Sequence, residues 1–269
     1  MKTELITVDL DGTLLKSDKS ISKYTVDIFR ECQARGIPII FATARSPASI
    51  LRFLDMIPAD GIIANGGATA EFTDEFGIGR EIYRAVLDIK TANEIIRRFL
   101  KLQPEIDISV ETNETFYHNY PSGLLREMPE SFARYHVFTQ ELSDPFVHKI
   151  TVKIDRKSAF EIAADFPDVG VIPFFGEPWV RFAHINATKW KALSALADYL
   201  GINPKHIAAF GDDYNDIDML ENCGISVAMD NAVPEAKAAA EFITSSNDND
   251  GVAAWIEKNI LPSLRESNG

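Results

Sequence analysis

The stretch VDLDGT at residues 8–13 puts two carboxylates, Asp9 and Asp11, two residues apart at the end of an apolar run. Side chains two apart on a strand share a face, so the pair is expected to converge on one point. Like charges so placed repel unless a cation or a shared proton lies between them. Related groups recur along the chain: FATAR supplies Thr43 and Arg45, TKWK supplies Thr188 and Lys189, and GDDYND supplies Asp212, Asp213, Asn215 and Asp216. These carboxylates, hydroxyl, amide and ammonium are expected to converge at one edge, where the carboxylates would hold Mg²⁺, a hard cation that takes oxygen ligands and keeps several waters.

The elements that must position them follow from periodicity. LITVDL, IPIIFATA and GIIAN read as short strands, and residues 22–35 and 47–56 as helices, the first closed by Gly36. That βαβαβ order implies a parallel sheet. It resumes in TKWKALSALADYLG, where Trp190, Leu193, Leu196 and Leu200 share a helical face. HIAAFGDD, a helix, GISVAM, residues 234–241 and FIT follow. Ligands of open α/β sheets bind beyond the carboxyl ends of the strands, where these elements deliver their polar residues.

The pattern changes in between. Residues 67–84 carry a hairpin signal around DEFG, and TANEIIRRFLKL is an amphipathic helix. Aromatic-rich strands follow in ISVETNETFYHN and KITVKIDR, then the helix SAFEIAADF and a strand pair near VIPFF and WVRFA. The fold class read from this order is α/β: a doubly wound parallel-sheet, Rossmann-like core with an inserted α+β domain. The core is expected over residues 1–84 and 186–269 and the insertion over 85–185, with one continuous large sheet as the rival reading. SSNDNDG at 245–251 reads as a loop.

Composition limits the partners. The formal net charge is −13, which argues against nucleic acid and anionic membrane surfaces, since both require a basic face. A phosphate site would have to be built locally, from a few cations and a metal. Cys32 and Cys223 show neither metal spacing nor a disulfide framework, and both are expected as buried thiols in helices. No apolar run approaches the roughly 18 residues needed to span a membrane, and no leader pattern opens the chain. A reducing cytoplasm is the expected location, with no obligate protein partner evident.

DLDGT, TAR, Lys189 and GDDYND, in this order, resemble the four motifs of the haloacid dehalogenase-like hydrolases. The inserted module, with ANGGA at 64–68, resembles the Cof-type (class IIB) branch. The resemblance implies a Mg²⁺-dependent phosphatase acting on small phosphorylated metabolites, sugar phosphates first among them. It also implies that Asp9 is the nucleophile that becomes a phospho-aspartate and Asp11 the acid–base group. Asp9, Asp212 and Asp11, the last through its main-chain carbonyl, would hold the metal, with Asp216 in support. Phosphoryl oxygens would be held by Leu10, Thr43, the Ala44 amide, Lys189 and Asn215. The inserted domain would select the substrate.

Each assignment has a rival. Asp213 competes with Asp212, and Lys191 with Lys189; the family's spacing around Gly211 favours Asp212 and Lys189. Arg45 either binds phosphate or pairs with a carboxylate. Ala44 and Trp190 stand where the family often has Gly, and Trp190 fits helix core better than a substrate platform. In the insertion the candidates are Tyr117, His118, Asn119, Arg126, Arg134, Arg181 and His184. Two other functions stay open: a phosphomutase, and a signalling receiver storing phospho-aspartate. A receiver needs neither Asp11 nor the insertion.

Overall fold

The computed structural model describes residues 2–57, 59–74, 77, 79–112, 115–121, 133–174 and 177–262. The chain divides into two compact units, Met1–Tyr83 with Thr188–Gly269, and Arg84–Ala187. The first begins with β1 (Leu5–Val8), α1 (Lys23–Ala34), β2 (Ile39–Ala42), α2 (Pro47–Leu54), β3 (Gly61–Ala64), β4 (Thr69–Thr73) and β5 (Gly79–Arg84). Ser22 caps α1 by accepting from the Thr25 amide, and Gly36, at φ 78°, turns the chain away from its end. β4 and β5 are the two arms of the hairpin expected around DEFG, whose Glu75 and Phe76 lie outside the described residues.

The second unit contains β6 (Leu87–Asp88), α3 (Ile89–Leu102), β7 (Ile108–Glu111), β8 (Phe116–His118), β9 (Ala133–Tyr135), β10 (Phe146–Val147), β11 (Lys149–Lys153), α4 (Arg156–Ala163), β12 (Val169–Pro173) and β13 (Trp179–His184). Six of its strands form a sheet in the order β12-β13-β11-β7-β8-β9, antiparallel except for β8 against β9. Alternation along the strands gives the sheet two faces. Ile108, Val110, Ile150, Val152, Val180 and Phe182 form one core with Ile95, Ile96 and Phe99 of α3 and Ala159 of α4. Phe99 meets Phe182 edge to face at 5.0 Å. The cross-strand pairs Ser109–His118, Glu111–Lys149 and Thr151–Arg181 occupy the other face.

The chain re-enters the first unit with α5 (Lys189–Leu200), β14 (Ile207–Gly211), α6 (Ile217–Asn222), β15 (Ile225–Ala228), α7 (Pro234–Ala239), β16 (Phe242–Ile243) and α8 (Gly251–Asn259). Its eight-stranded sheet runs β16-β15-β14-β1-β2-β3-β4-β5, parallel from β16 to β3, with β4 antiparallel to β3. β1 and β14 are central and wholly buried, as β-branched and apolar residues sandwiched between helices should be. Cys32 lies in α1 and Cys223 directly after α6; both thiols are free and buried.

Two expectations need correction. β1 stops at Val8, so Asp9 and Asp11 do not lie on a strand. Gly12, at φ 79°, bends the chain into a tight turn in which the Leu14 amide donates to the carbonyls of Asp9 and Leu10. The segment 245–251 is also more than a loop, since a 3₁₀ turn at Asn247–Asn249 leads into α8, which starts at Gly251.

Candidate active site

The carboxyl ends of β1, β2 and β14 and the start of α5 bring most of the expected residues together. Lys189, the first residue of α5, is completely buried, and its ammonium donates to Asp9 Oδ1 at 2.6 Å and Asp216 Oδ1 at 2.5 Å. Lys191, its rival, is exposed. ANGGA explains how α5 reaches this depth. A Cβ on Gly67, at φ 96°, would stand 2.1 Å from the Thr188 carbonyl carbon, so the two main chains pass flush against each other.

Carboxylate oxygens of Asp9, Asp212 and Asp216 all lie within 4.8 Å of one another. Asp216 is already committed: Oδ1 accepts from Lys189, and Oδ2 accepts from the amides of Asp212 at 2.9 Å and Asp213 at 3.0 Å. It thus fixes the turn carrying Asp212. Asp213 faces its own turn, accepting from the Tyr214 amide as an N-cap. Asp212 Oδ1 accepts from Thr13 Oγ1 at 2.6 Å. A Cβ on Gly12 would sit 2.2 Å from Asp212 Oδ2, so only a glycine lets the loop after β1 close on this carboxylate.

The electrostatics are unbalanced. Burial drives the Asp9 carboxyl well above its ordinary range, against the pull of Lys189. Burial, then the charge of Asp216, pushes Asp212 up to about 7. Burial opposes the charge on Lys189, but Asp216 and Asp9 outweigh it and raise its pKa. One ammonium therefore serves three crowded carboxylates. Hard oxygen donors with excess negative charge fit Mg²⁺, with Asp9 and Asp212 as the carboxylates that would hold it.

Asp11 lies elsewhere than expected. Its carboxylate is not part of the Asp9–Asp212–Asp216 cluster; it accepts from Arg45 Nε at 2.5 Å and Nη2 at 2.7 Å, and from Lys19 Nζ at 2.7 Å. The bent turn, rather than strand alternation, directs it there. Burial raises this carboxyl, but Arg45 and then Lys19 outweigh burial and hold it below its ordinary value. Arg45 is thus a carboxylate partner here. Lys19 carried no sequence signal: its role depends on a left-handed backbone, φ 64°, that brings a loop lysine onto Asp11.

Thr43 is buried at the end of β2, its hydroxyl accepting from the Arg45 amide at 3.1 Å, with Ala44 between them in the chain. Leu10 is fully buried in the loop beside Asp9. The side-chain oxygen of Asn215 is buried and has no hydrogen-bond partner among the described residues. A buried acceptor without a partner is costly unless something else supplies one. Trp190 packs partly buried on the core of the first unit, as its helical spacing predicted.

In the second unit, Asn119 spends both amide atoms on the main chain of Ile106 and Ile108, and Tyr117 donates to Asp144. His184 accepts from the Asn186 amide, and Arg134 is exposed. Arg126 lies outside the described residues. His118 and Arg181 are buried on the polar sheet face, beside the Glu111–Lys149 ion pair at 2.9 Å.

A parallel sheet that gathers carboxylates, a buried lysine and a threonine at its carboxyl edge, and is interrupted by a second unit, describes a phosphoryl-handling hydrolase class. The sequence model of the haloacid dehalogenase-like hydrolases matches residues 6–256, and the chain belongs to that family. It is 29% identical to a Haemophilus influenzae protein named "Putative phosphatase" over 256 residues, covering 93% of this chain and 95% of that protein. It is 25% identical to the 5-amino-6-(5-phospho-D-ribitylamino)uracil phosphatase YitU of Bacillus subtilis, covering 96% and 97%. Among solved structures, a haloacid dehalogenase-like hydrolase from B. subtilis shares the fold with TM-score 0.82 at 24% identity, covering 96% of this chain and all of that one. A subclass IIB sugar phosphatase shares it with TM-score 0.77 at 22% identity, covering 95% and 98%.

Proposed function

We propose that this phosphatase is Mg²⁺-dependent and hydrolyses small phosphorylated metabolites, sugar phosphates first among them, through a phospho-aspartate on Asp9. The carrying observation is the buried Asp9 carboxylate, oriented by Lys189 at 2.6 Å and crowded by Asp212 and Asp216. Held by Asp9, Asp212 and the Asp11 carbonyl, Mg²⁺ would offset the negative charge that a phosphate dianion brings to these carboxylates.

Asp9 attacks phosphorus, and the bond from phosphorus to the ester oxygen breaks. Asp11 takes up a proton on substrate binding, since it is ionised while paired with Arg45 and Lys19, and gives it to the departing alkoxide; it then takes one from the water that attacks the phospho-aspartate, releasing inorganic phosphate and restoring Asp9. The ionised Asp11, paired with Arg45 and Lys19, is the form suited to the second half of this cycle. Lys189, the Thr43 hydroxyl, the main chain at Leu10 and Ala44, and Asn215 hold the phosphoryl oxygens. The unpartnered Asn215 oxygen supports its inclusion.

The inserted unit is the cap that selects the leaving group, and the relatives' names support phosphorylated sugars and ribityl compounds as substrates. Two free buried thiols suit a reducing cytoplasm. Among the described residues no helix is long and apolar enough to cross a membrane.

The test is turnover of a panel of phosphorylated metabolites with Mg²⁺ and with excess chelator, followed by product analysis. Metal-dependent release of inorganic phosphate is expected. Equal rates in chelator would remove the metal, and an isomeric sugar phosphate as product would make the protein a mutase.

A further inference from the structure

The loop after β1 carries every group that the proposed reaction uses from that strand, yet its own hydrogen bonds are few. Leu14 donates to Asp9 and Leu10, and Leu15 donates to Leu10 at 2.8 Å. Two of its carbonyls are instead taken by asparagines more than 200 residues away in sequence. Asn231 Nδ2 donates to the Gly12 carbonyl at 2.7 Å, and Asn247 Nδ2 donates to the Leu15 carbonyl at 2.8 Å. The two are themselves linked, because the Asn247 amide donates to Asn231 Oδ1 at 3.0 Å.

This relay is braced on both sides. Ser17 donates through its amide and hydroxyl to the Asp248 carboxylate at 2.8 and 2.7 Å, and Lys16 Nζ reaches the Asp248 carbonyl at 3.0 Å and Asp250 Oδ2 at 3.1 Å. Gly251 closes the turn tightly enough that a Cβ there would stand 2.0 Å from the Ser245 carbonyl oxygen. The polar tract at 245–251 is thus a built clamp. It grips the segment between Gly12 and Ser17 from outside, while Asp212 abuts Gly12 and accepts from Thr13 on the inside.

We propose that Asn231 and Asn247 are positioning residues: by fixing the carbonyls of Gly12 and Leu15 they set where Asp11 stands relative to Asp9. The inference rests on the reading of Asp9 as nucleophile and Asp11 as acid–base group. Asn231 is exposed, so its bond to Gly12 is a small part of the fold's support. A misplacement of about 1 Å at reacting groups, by contrast, costs up to about 10²-fold in rate.

Asn231→Asp separates the two bonds, keeping an acceptor for Asn247 while losing the donor to Gly12. The variant is assayed as the full chain at saturating Mg²⁺ on aryl phosphates running from 4-nitrophenyl to unsubstituted phenyl, with the thermal midpoint recorded alongside. A midpoint close to that of the unmodified protein is expected, with kcat/KM on phenyl phosphate, which reports the step in which the leaving group departs, lowered by roughly 10- to 100-fold. The loss should shrink as the leaving group improves, because a misplaced Asp11 matters most when the departing oxygen needs its proton. A steeper dependence on leaving-group basicity is therefore the signature, since a smaller folded fraction would lower all substrates equally.

Asn247→Ser repeats the test from the other end of the relay should Asn231→Asp fail to fold. Unchanged kcat/KM and slope in a folded variant, or an equal loss in kcat/KM for every substrate, would overturn the proposal. Asp9→Asn run in parallel keeps the two ideas apart. Full turnover by Asp9→Asn would sink the underlying reading itself. An inactive Asp9→Asn beside unaffected asparagine variants would sink the positioning role alone.

Discussion

Each unit of this protein buries a lysine against carboxylates, and the two arrangements differ in charge balance. In the antiparallel sheet of the second unit, Lys149 pairs with Glu111 at 2.9 Å and buried Arg181 shares the sheet face, so carboxylates are not in surplus among the buried charges described there. At the edge of the parallel sheet, Lys189 is shared between Asp9 and Asp216, with Asp212 alongside and no second lysine bonded to the three carboxylates among the described residues. Burying an ion pair is roughly neutral for stability, whereas burying surplus charge is costly. A paired carboxylate suits a structural role on a sheet face. Surplus carboxylates kept together against their mutual repulsion suit a site that accepts a cation and does chemistry.

The strongest way to break that contrast is to neutralise one member of each cluster. Asp9→Asn should abolish turnover while leaving the thermal midpoint unchanged or raised, because the amide cannot attack phosphorus and relieves the crowding. Glu111→Leu should do the reverse. It removes the carboxylate bonded to buried Lys149 and should cost about 3–5 kcal/mol of stability, while 4-nitrophenyl phosphate turnover by the folded fraction persists. Adding Lys149→Met should recover most of that stability. The contrast fails if Asp9→Asn keeps appreciable activity, or if removing Glu111 costs nothing in a denaturant titration.

Asp11→Asn sharpens the comparison within the parallel-sheet edge itself, between the carboxylate that attacks and the one paired with Arg45 and Lys19. Phosphorylation of Asp9 by an aryl phosphate barely needs a proton, but its hydrolysis needs a base. The expected result is a burst of at most one equivalent of aryl alcohol, then a steady rate lowered by roughly 10²- to 10⁴-fold. Unchanged steady turnover would remove Asp11 from the acid–base role.

Much of this site could be read from residue types, because parallel sheets deliver their ligands at strand ends whatever the details. Lys189 against Lys191 was separable by position, and the structure places the first at the centre and the second in solvent. What could not be read depended on backbone geometry. Alternation along LITVDL put Asp9 and Asp11 on one face, but the positive φ of Gly12 ends that alternation and sends Asp11 to Arg45. Lys19 likewise reaches Asp11 only through a left-handed turn. α8 carries no start signal in the sequence, because it opens on Gly251 directly after a polar tract, with Asp250 at φ 53° making no side-chain cap.

The smallest expected effect separates the two clusters by their response to pH. Asp212, raised by burial and Asp216 to about 7 from an ordinary 3.8, is ionised in both folded and unfolded chains above pH 7, so its penalty on folding is then complete. As pH falls between those two values the folded chain binds the extra proton, and stability rises. Asp9, displaced in the same direction by burial, adds to the slope. Asp11 is shifted downward and contributes only at lower pH. The thermal midpoint of the chelated protein should therefore climb by about a few degrees between pH 8 and pH 6. Mg²⁺ should raise the midpoint most at pH 8 and least at pH 6, because protons and metal compete for the same oxygens. Asp212→Asn should flatten both responses, while Glu111→Gln, in the second unit, should leave them intact. A chelated midpoint that falls over this range, or a Mg²⁺ shift that survives Asp212→Asn, would mean that the surplus charge at the parallel-sheet edge is not what draws the cation.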